Sequence, residues 1–443
     1  MARSIRVLQG VVTDLSHDGN GVVKVDDKVY FVPGVLPSET IRFKALKKRR
    51  GKFEGVLEEI LLPSGDRIDP KCIYFDRCGG CSFLHLEPSV GLENKEKILF
   101  DNLERIGKVE SESRFPPIQG ALWGYRRKAR PGIRFVPKKG GVMVGFREPG
   151  SSYITSLQQC LTLDPRLSAL LPSLHALVEK LSHNDRIPQV EVAAADNAVA
   201  LVLRHLEPLS AEDIAHIRTY AKEHEVQFFT QSGGLDTISP VFPQTPEPLF
   251  YRLPDFDLSM QFDPSDFIQV NGEVNQLMVN QAVGAMELQP EDRVLDLFCG
   301  LGNFTLPLCK GGCEVVGIEG DDALVAKGRA NAKLNGVENV SFEKANLHEE
   351  NLTHVLDPIL ESQGTFTKML IDPPRSGAYQ VVSQLVPVIK PEILVYVSCN
   401  PATLARDADV MVNTHGYRLV RAGAIDMFPH TAHVESMAVF KRS

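Results

Sequence analysis

Leu394-Val395-Tyr396-Val397-Ser398-Cys399-Asn400-Pro401 is the stretch whose reading decides the fold. Strand-forming residues run into Ser-Cys-Asn-Pro, and Ala402-Thr403-Leu404-Ala405-Arg406-Asp407 continues as a helix. A strand rich in Val and Tyr that ends in a turn and passes into a helix belongs to an open α/β sheet. Such sheets bind ligands at the carboxyl ends of their strands, which is where Cys399 falls. A cysteine there is either a small buried hydrophobe or a nucleophile acting as its thiolate.

Working outward, the same pattern recurs on the N-terminal side. Arg293-Val294-Leu295-Asp296-Leu297-Phe298 predicts a strand, Cys299-Gly300-Leu301-Gly302-Asn303-Phe304 a glycine-rich turn, and Glu314-Val315-Val316-Gly317-Ile318 a second strand ending in Glu319. This is half of a doubly wound nucleotide fold. Thr305 stands where a dinucleotide fingerprint has its third glycine, so a pyrophosphate is not the expected ligand. An acid at the end of the second strand can accept from both ribose hydroxyls. S-adenosylmethionine (SAM), an adenosine without phosphate, fits; glycines that merely pack are the alternative. Val340 to Asn346 predicts a third strand whose exit places Asn346 to face the adenine. Lys368-Met369-Leu370-Ile371-Asp372-Pro373-Pro374-Arg375 predicts a fourth, stopped by two prolines that leave Asp372 at its end. Near the C-terminus, His433-Val434-Glu435 offers either a surface acid or a general base.

Toward the N-terminus, Val7–Thr13, Gly21–Val25, Lys28–Val32, Thr40–Ala45 and Phe53–Ile60 predict five short strands with turns at Asp18-Gly19-Asn20-Gly21 and Asp26-Asp27, a small OB-like barrel. Cys72-x5-Cys78-x2-Cys81, with Gly79-Gly80 between, is a ligand pattern, and Cys160 is the nearest further thiolate. Spacing alone does not separate zinc from iron–sulfur, since both take four cysteines. Leu84 to Ile106 predicts a charged helix. Trp123-Gly124-Tyr125-Arg126-Arg127-Lys128-Ala129-Arg130 interleaves aromatics with cations, as a surface for unpaired bases would, or as a basic edge strand. Residues 131–255 predict mixed α/β structure with little visible chemistry.

With 443 residues, 43% of them hydrophobic and 23% charged, the chain is long enough for two or three domains of ordinary globular composition. No apolar run reaches membrane-spanning length, and the N-terminus lacks a signal-peptide core; a cytoplasmic protein is expected. Eight cysteines in a reducing compartment point to metal or catalysis rather than disulfides. The net charge of −8 argues against non-specific nucleic-acid binding by the whole molecule. Yet Arg42 to Lys52 holds seven basic residues, and Arg114 to Arg147 nine, with no acid in either block. Such blocks point to a local polyanion surface.

Taken as a set, Phe267-Ile268-Gln269-Val270-Asn271, Asp296-Leu297-Phe298-Cys299-Gly300-Leu301-Gly302-Asn303-Phe304, Asp372-Pro373-Pro374-Arg375, Ser398-Cys399-Asn400-Pro401 and His433-Val434-Glu435 resemble the RNA uracil-5-methyltransferases of the RumA (RlmD) group. The first 60 or so residues resemble a TRAM domain through Asp18-Gly19-Asn20-Gly21, Phe31-Val32-Pro33-Gly34 and the basic run Lys47 to Lys52. The resemblance covers essentially the whole chain. It implies an α/β fold with three parts: a TRAM RNA-binding barrel over 1–63, a central α+β iron–sulfur domain over 64–261, and a Class I, Rossmann-like methyltransferase domain over 262–443. It implies a [4Fe-4S] cluster on Cys72, Cys78, Cys81 and Cys160, and SAM contacts by Gln269, Phe298, Asn303, Glu319, Asn346 and Asp372. It further implies Cys399 as nucleophile, Glu435 as general base, 23S ribosomal RNA as substrate, and action as a monomer. The alternatives are a transfer-RNA uridine-C5 enzyme and a non-catalytic RNA-binding protein on a methyltransferase fold. Cytosine-5 enzymes carry a second cysteine in the turn that here is Asp372-Pro373-Pro374-Arg375. Amino-group methyltransferases prefer an aromatic where Arg375 stands.

Overall fold

The computed structural model describes residues 6–46 and 51–443. Of the basic run at Lys47 to Lys52, residues 47–50 lie outside the described residues.

The strands Val7–Leu15, Gly21–Val25, Lys28–Val32, Thr40–Ala45 and Phe53–Leu62 close into a five-stranded barrel. Alternation puts Val12, Val23, Val32, Ile41 and Phe43 inside. Its described cations are largely ion-paired on the outer wall: Arg42 to Glu59 and Lys44 to Glu58, each at 2.7 Å, and Lys52 to Asp18 at 3.8 Å.

The catalytic sheet has eight strands, in the order Val340–Lys344, Glu314–Glu319, Arg293–Leu297, Lys368–Ile371, Ile393–Ser398, Glu435–Arg442, Tyr417–Ile425, Ser113–Arg114. The first five are parallel, and Glu435–Arg442 runs antiparallel to its neighbours. Strand order reverses between Arg293–Leu297 and Lys368–Ile371, so the ligand crevice of a doubly wound sheet opens there. A second mixed sheet, built on Gln189–Ala194, Val199–Arg204 and Gln227–Gln231, forms the centre of the chain with Pro165–Lys180 and Ala211–Glu223 packed on it.

Three pieces from before residue 262 join the catalytic body. The helix Pro88–Arg105 buries Leu99 and Leu103 in one core with Leu404, Ala405 and Ala408. The strand Ser113–Arg114 extends the sheet beside Tyr417–Ile425. The hairpin Leu249–Leu253/Leu258–Phe262 packs with Leu301, Leu306 and Phe342.

Part of the segment 123–130 turns inward: Tyr125, Lys128 and Ala129 are buried, while Trp123, Arg126 and Arg127 stay half-buried and Arg130 exposed. Tyr125 is buried and its hydroxyl donates to the Pro429 carbonyl. The Arg127 amide donates to the Val270 carbonyl. Lys128 is buried, with Nζ 3.0 Å from Glu191 and donating to the Asp266 carbonyl. These side chains form the seam between the central sheet and the catalytic body. Charged side chains are rarely buried unless paired, and here carboxylates and carbonyls supply the partners.

Leu103→Ala should destabilise the protein by about 2–5 kcal/mol, as removing a fully buried leucine side chain does. Chemical denaturation followed by circular dichroism tests this; an unchanged midpoint would show that the helix is dispensable to the catalytic core.

Candidate active site

The strand ends converge on one cavity of about 600 Å³. Gln269, Phe298, Asn303, Glu319, Asn346, Asp372, Cys399 and Glu435 all line it, so every sequence-predicted SAM and catalytic position meets in one place. Tyr251, His348, Arg375 and His433 line it as well; none of these had been given a role from sequence. Tyr251 was hidden in a region without a motif, and its place depends on a hairpin folding back onto the sheet.

At one end stands the glycine-rich turn. Phe298 leaves its strand with φ 62°, a left-handed conformation that bulky side chains rarely adopt, and its ring lies 5.6 Å from that of His348. Gly302 has φ 100°, and a Cβ there would press on Phe342. The Asn303 side chain exchanges two 3.0 Å hydrogen bonds with Asn275 and accepts a third from the Tyr251 hydroxyl at 2.9 Å. Glu319 ties the two turns together: one oxygen accepts from the Gly300 amide at 3.0 Å, the other from Gly320 at 2.7 Å and Asp321 at 3.1 Å. Asp296, beneath this turn, accepts from the Thr305 hydroxyl at 2.6 Å while its second oxygen has no partner among the described residues. Burial pushes its carboxyl up to about 7.

At the other end, sheet register sets the chemistry. Ser398 pairs with Ser436 across the antiparallel strands, so the next pair outward is Cys399 and Glu435. Asp372 leaves the parallel neighbour, its amide bonded to the Leu297 carbonyl at 3.3 Å. Burial, then the carboxylates of Glu435 and Asp372, push the Cys399 thiol up to about 11, with Arg375 opposing. Burial pushes Glu435 up to about 7, against the pull of Arg375 and Lys95. Asp372 is driven well above the usual carboxylate range by burial, with Glu435 and Asp296 adding to it. The resting site thus holds a neutral thiol beside a carboxyl that titrates near neutrality.

The loops carrying these groups are fastened to each other. Asn400 caps the helix Pro401–Asp409 through the Ala402 amide and donates to the Arg375 carbonyl at 3.0 Å. Asp407 accepts from the Tyr396 hydroxyl at 2.7 Å and the Ala378 amide at 2.8 Å. Arg375 lies 3.3 Å from His433.

Cys72, Cys78 and Cys81 lie on one loop and Cys160 on a facing segment, all half-buried. Electrostatic coupling links Cys160 to each of the other three, and those three to one another. Among the described residues, no three His, Cys, Asp or Glu side chains converge closely enough to hold a metal ion.

The reversed parallel sheet, its glycine-rich turn and its strand-end acid define a Class I methyltransferase fold, with a thiol at the substrate end of the cavity. The solved tRNA (uracil-54, C5)-methyltransferase of Pyrococcus abyssi, in complex with S-adenosyl-L-homocysteine, shares this fold with a TM-score of 0.75 and 24% identity, covering 98% of this chain and 100% of that one. The family model for tRNA (uracil-5-)-methyltransferases matches residues 251–443. The 23S rRNA (uracil(1939)-C(5))-methyltransferase RlmD of Thiobacillus denitrificans is 47% identical over 431 residues, 97% of this chain and 99% of its own. The RlmD protein of Xanthomonas oryzae pv. oryzae is also 47% identical, over 437 residues, 98% of this chain and 97% of its own. The chain belongs to the RlmD family of RNA uracil-5-methyltransferases.

Asp407→Ala should release the turn that follows Asp372. Hydrogen exchange at the Ala378 amide should speed up at least about tenfold, for a loss of about 1–3 kcal/mol from the groups left without their acceptor. Unchanged exchange at Ala378 would place the clamp elsewhere.

Proposed function

We propose that Cys399 is the nucleophile and Glu435 the general base of a SAM-dependent methyl transfer to C5 of a uridine in 23S ribosomal RNA, proceeding through a covalent Cys399–C6 adduct. The enzyme is a SAM-dependent RNA uracil-C5 methyltransferase. The observation that carries the residue assignment is the register that sets Cys399 opposite Glu435 at the mouth of the SAM-sized cavity.

C5 of uracil is a weak nucleophile, and covalent catalysis divides the difficulty. The Cys399 thiol loses its proton to water and adds to C6 as the thiolate. The electron pair of the C5–C6 double bond moves into an enolate, and C5 then takes the methyl group from the sulfonium, leaving S-adenosylhomocysteine. Glu435 removes the C5 proton, the double bond re-forms, and the C6–S bond breaks to return the thiolate. A base titrating near 7 suits a step run at neutral pH. The uracil must leave its stack to reach the sulfur. Gln269, Phe298, Asn303, Glu319, Asn346 and Asp372 line the SAM end, with Glu319 at the ribose and Asn346 toward the adenine.

The working division is a barrel over 1–63 that holds RNA, a central unit over 64–261, and the catalytic unit over 262–443, acting as a monomer in the cytoplasm. Among the described residues, no helix is long and apolar enough to cross a membrane.

Cys72, Cys78, Cys81 and Cys160 fit a [4Fe-4S] cluster. All four donors are cysteine sulfurs, half-buried, which is the ligand set a [4Fe-4S] core takes. Gly79 lies so close to the Arg147 carbonyl that a Cβ there would collide with it. When bound, the cluster would cross-link the 72–81 loop to the Cys160 segment. Protein purified without oxygen should be brown with broad visible absorbance and carry about four iron atoms per chain; a colourless, zinc-loaded protein would overturn this assignment.

Cys399→Ala should lose methyl transfer while SAM binding stays within a few-fold. Glu435→Gln should accumulate a covalent RNA–protein species visible on a denaturing gel. RNA carrying 5-fluorouridine at the target, given SAM, should be trapped on the native protein but not on Cys399→Ala. An active Cys399→Ala protein would remove the covalent route.

A further inference from the structure

A buried lysine outside the catalytic unit stands behind the base. Lys95, on the helix Pro88–Arg105, is only 2% exposed. Its Nζ donates to Asp426 Oδ1 at 2.6 Å and to the Phe428 carbonyl at 2.9 Å. Both acceptors lie on the arch 426–434, which links the last two antiparallel strands and delivers the chain to Glu435. Burying an ammonium group is tolerated only when it is paired and hydrogen-bonded, so this lysine is fixed in place. Other groups from before residue 126 grip the same arch. The Ser82 and Phe83 amides donate to the His430 carbonyl at 3.0 and 2.9 Å, and Ser82 Oγ accepts from the Ala432 amide at 2.9 Å.

We propose that Lys95 is a positioning residue for the release half of the reaction: it pins the arch through Asp426 and Phe428 and sets a positive charge behind Glu435. The proposal rests on Glu435 being the base. The groups facing Glu435 are Arg375 and Asp372 from the proline-stopped turn, Cys399 from the neighbouring strand end, and Lys95 from the helix. Asp426 balances Lys95, while His430 and His433 stand close to Lys95 and are kept neutral by burial. Of the two cations, Arg375 lies in the cavity and is exposed. Lys95 is buried and does not line the cavity.

Removing the Lys95 charge makes Glu435 harder to ionise, so the base is fully available only at higher pH. The test uses Lys95→Met together with Lys95→Met/Asp426→Asn, which leaves no unpaired carboxylate and keeps the test alive if the single variant does not fold. Formation and decay of the covalent adduct are followed in single turnovers across pH 6–9 with a target RNA fragment. Adduct formation at pH 7 should stay within about threefold of wild type. Adduct decay at pH 7 should slow about fivefold and recover near pH 9, as an upward displacement of about one unit from near 7 requires. A decay profile that does not move, or equal slowing of both steps at every pH, overturns the proposal. Glu435→Gln, run alongside, separates the two readings. If it accumulates no adduct, the base assignment falls and this proposal with it. If it accumulates adduct while the Lys95 variants keep the wild-type profile, only the role of Lys95 falls.

Discussion

One backbone register governs the site. Because Ser398 faces Ser436, the thiol and the carboxyl group that must act on adjacent carbons of one ring emerge from neighbouring strand ends. A slip of one residue would turn one of them to the opposite face of the sheet. The register is held by buried strands on both sides, by the Tyr396–Asp407–Ala378 network beneath the turns, and by Asn400 bonded across to Arg375. Where covalent addition and proton removal fall on adjacent atoms, such rigidity is what orientation requires.

The electrostatics follow from the same burial. Two carboxyl groups and a thiol share a low-dielectric corner: burial makes each harder to ionise, Glu435 adds to this at Asp372, and both carboxyl groups add to it at Cys399. Arg375 from one side and Lys95 from the other keep Glu435 within reach of neutral pH. The central part of the chain therefore contributes more than a scaffold for RNA. Its helix, its cysteine loop and Tyr125 all grip the arch that ends at the base.

Much of this was legible in the residues. The five barrel strands, the strand–turn–helix around Cys399, the glycine-rich turn and the proline-stopped strand each carry a local signature, and each formed where its signature lies. What could not be read was whatever depends on long-range pairing. That Glu435 faces Cys399 is a matter of register between strands whose ends sit 36 residues apart. Lys95 gave no signal, because a lysine in a charged helix looks like solvent-facing charge until its partner 331 positions away is known. Lys128, within the cationic stretch at 123–130, gave no sign that Glu191 and the Asp266 carbonyl would bury it. The hairpin at 249–262 and the helix at 88–105 fold onto the catalytic body by contacts that no boundary drawn along the sequence reveals.

That helix also has a consequence for how the chain is made. Leu99 and Leu103 find their partners in Leu404, Ala405 and Ala408, about 300 residues later. At a synthesis rate of roughly 5–20 residues per second, the apolar flank of the helix leaves the ribosome roughly 15–60 s before anything exists to cover it. During translation the nascent protein therefore carries an apolar strip whose partners on the helix Pro401–Asp409 are among the last residues to be made.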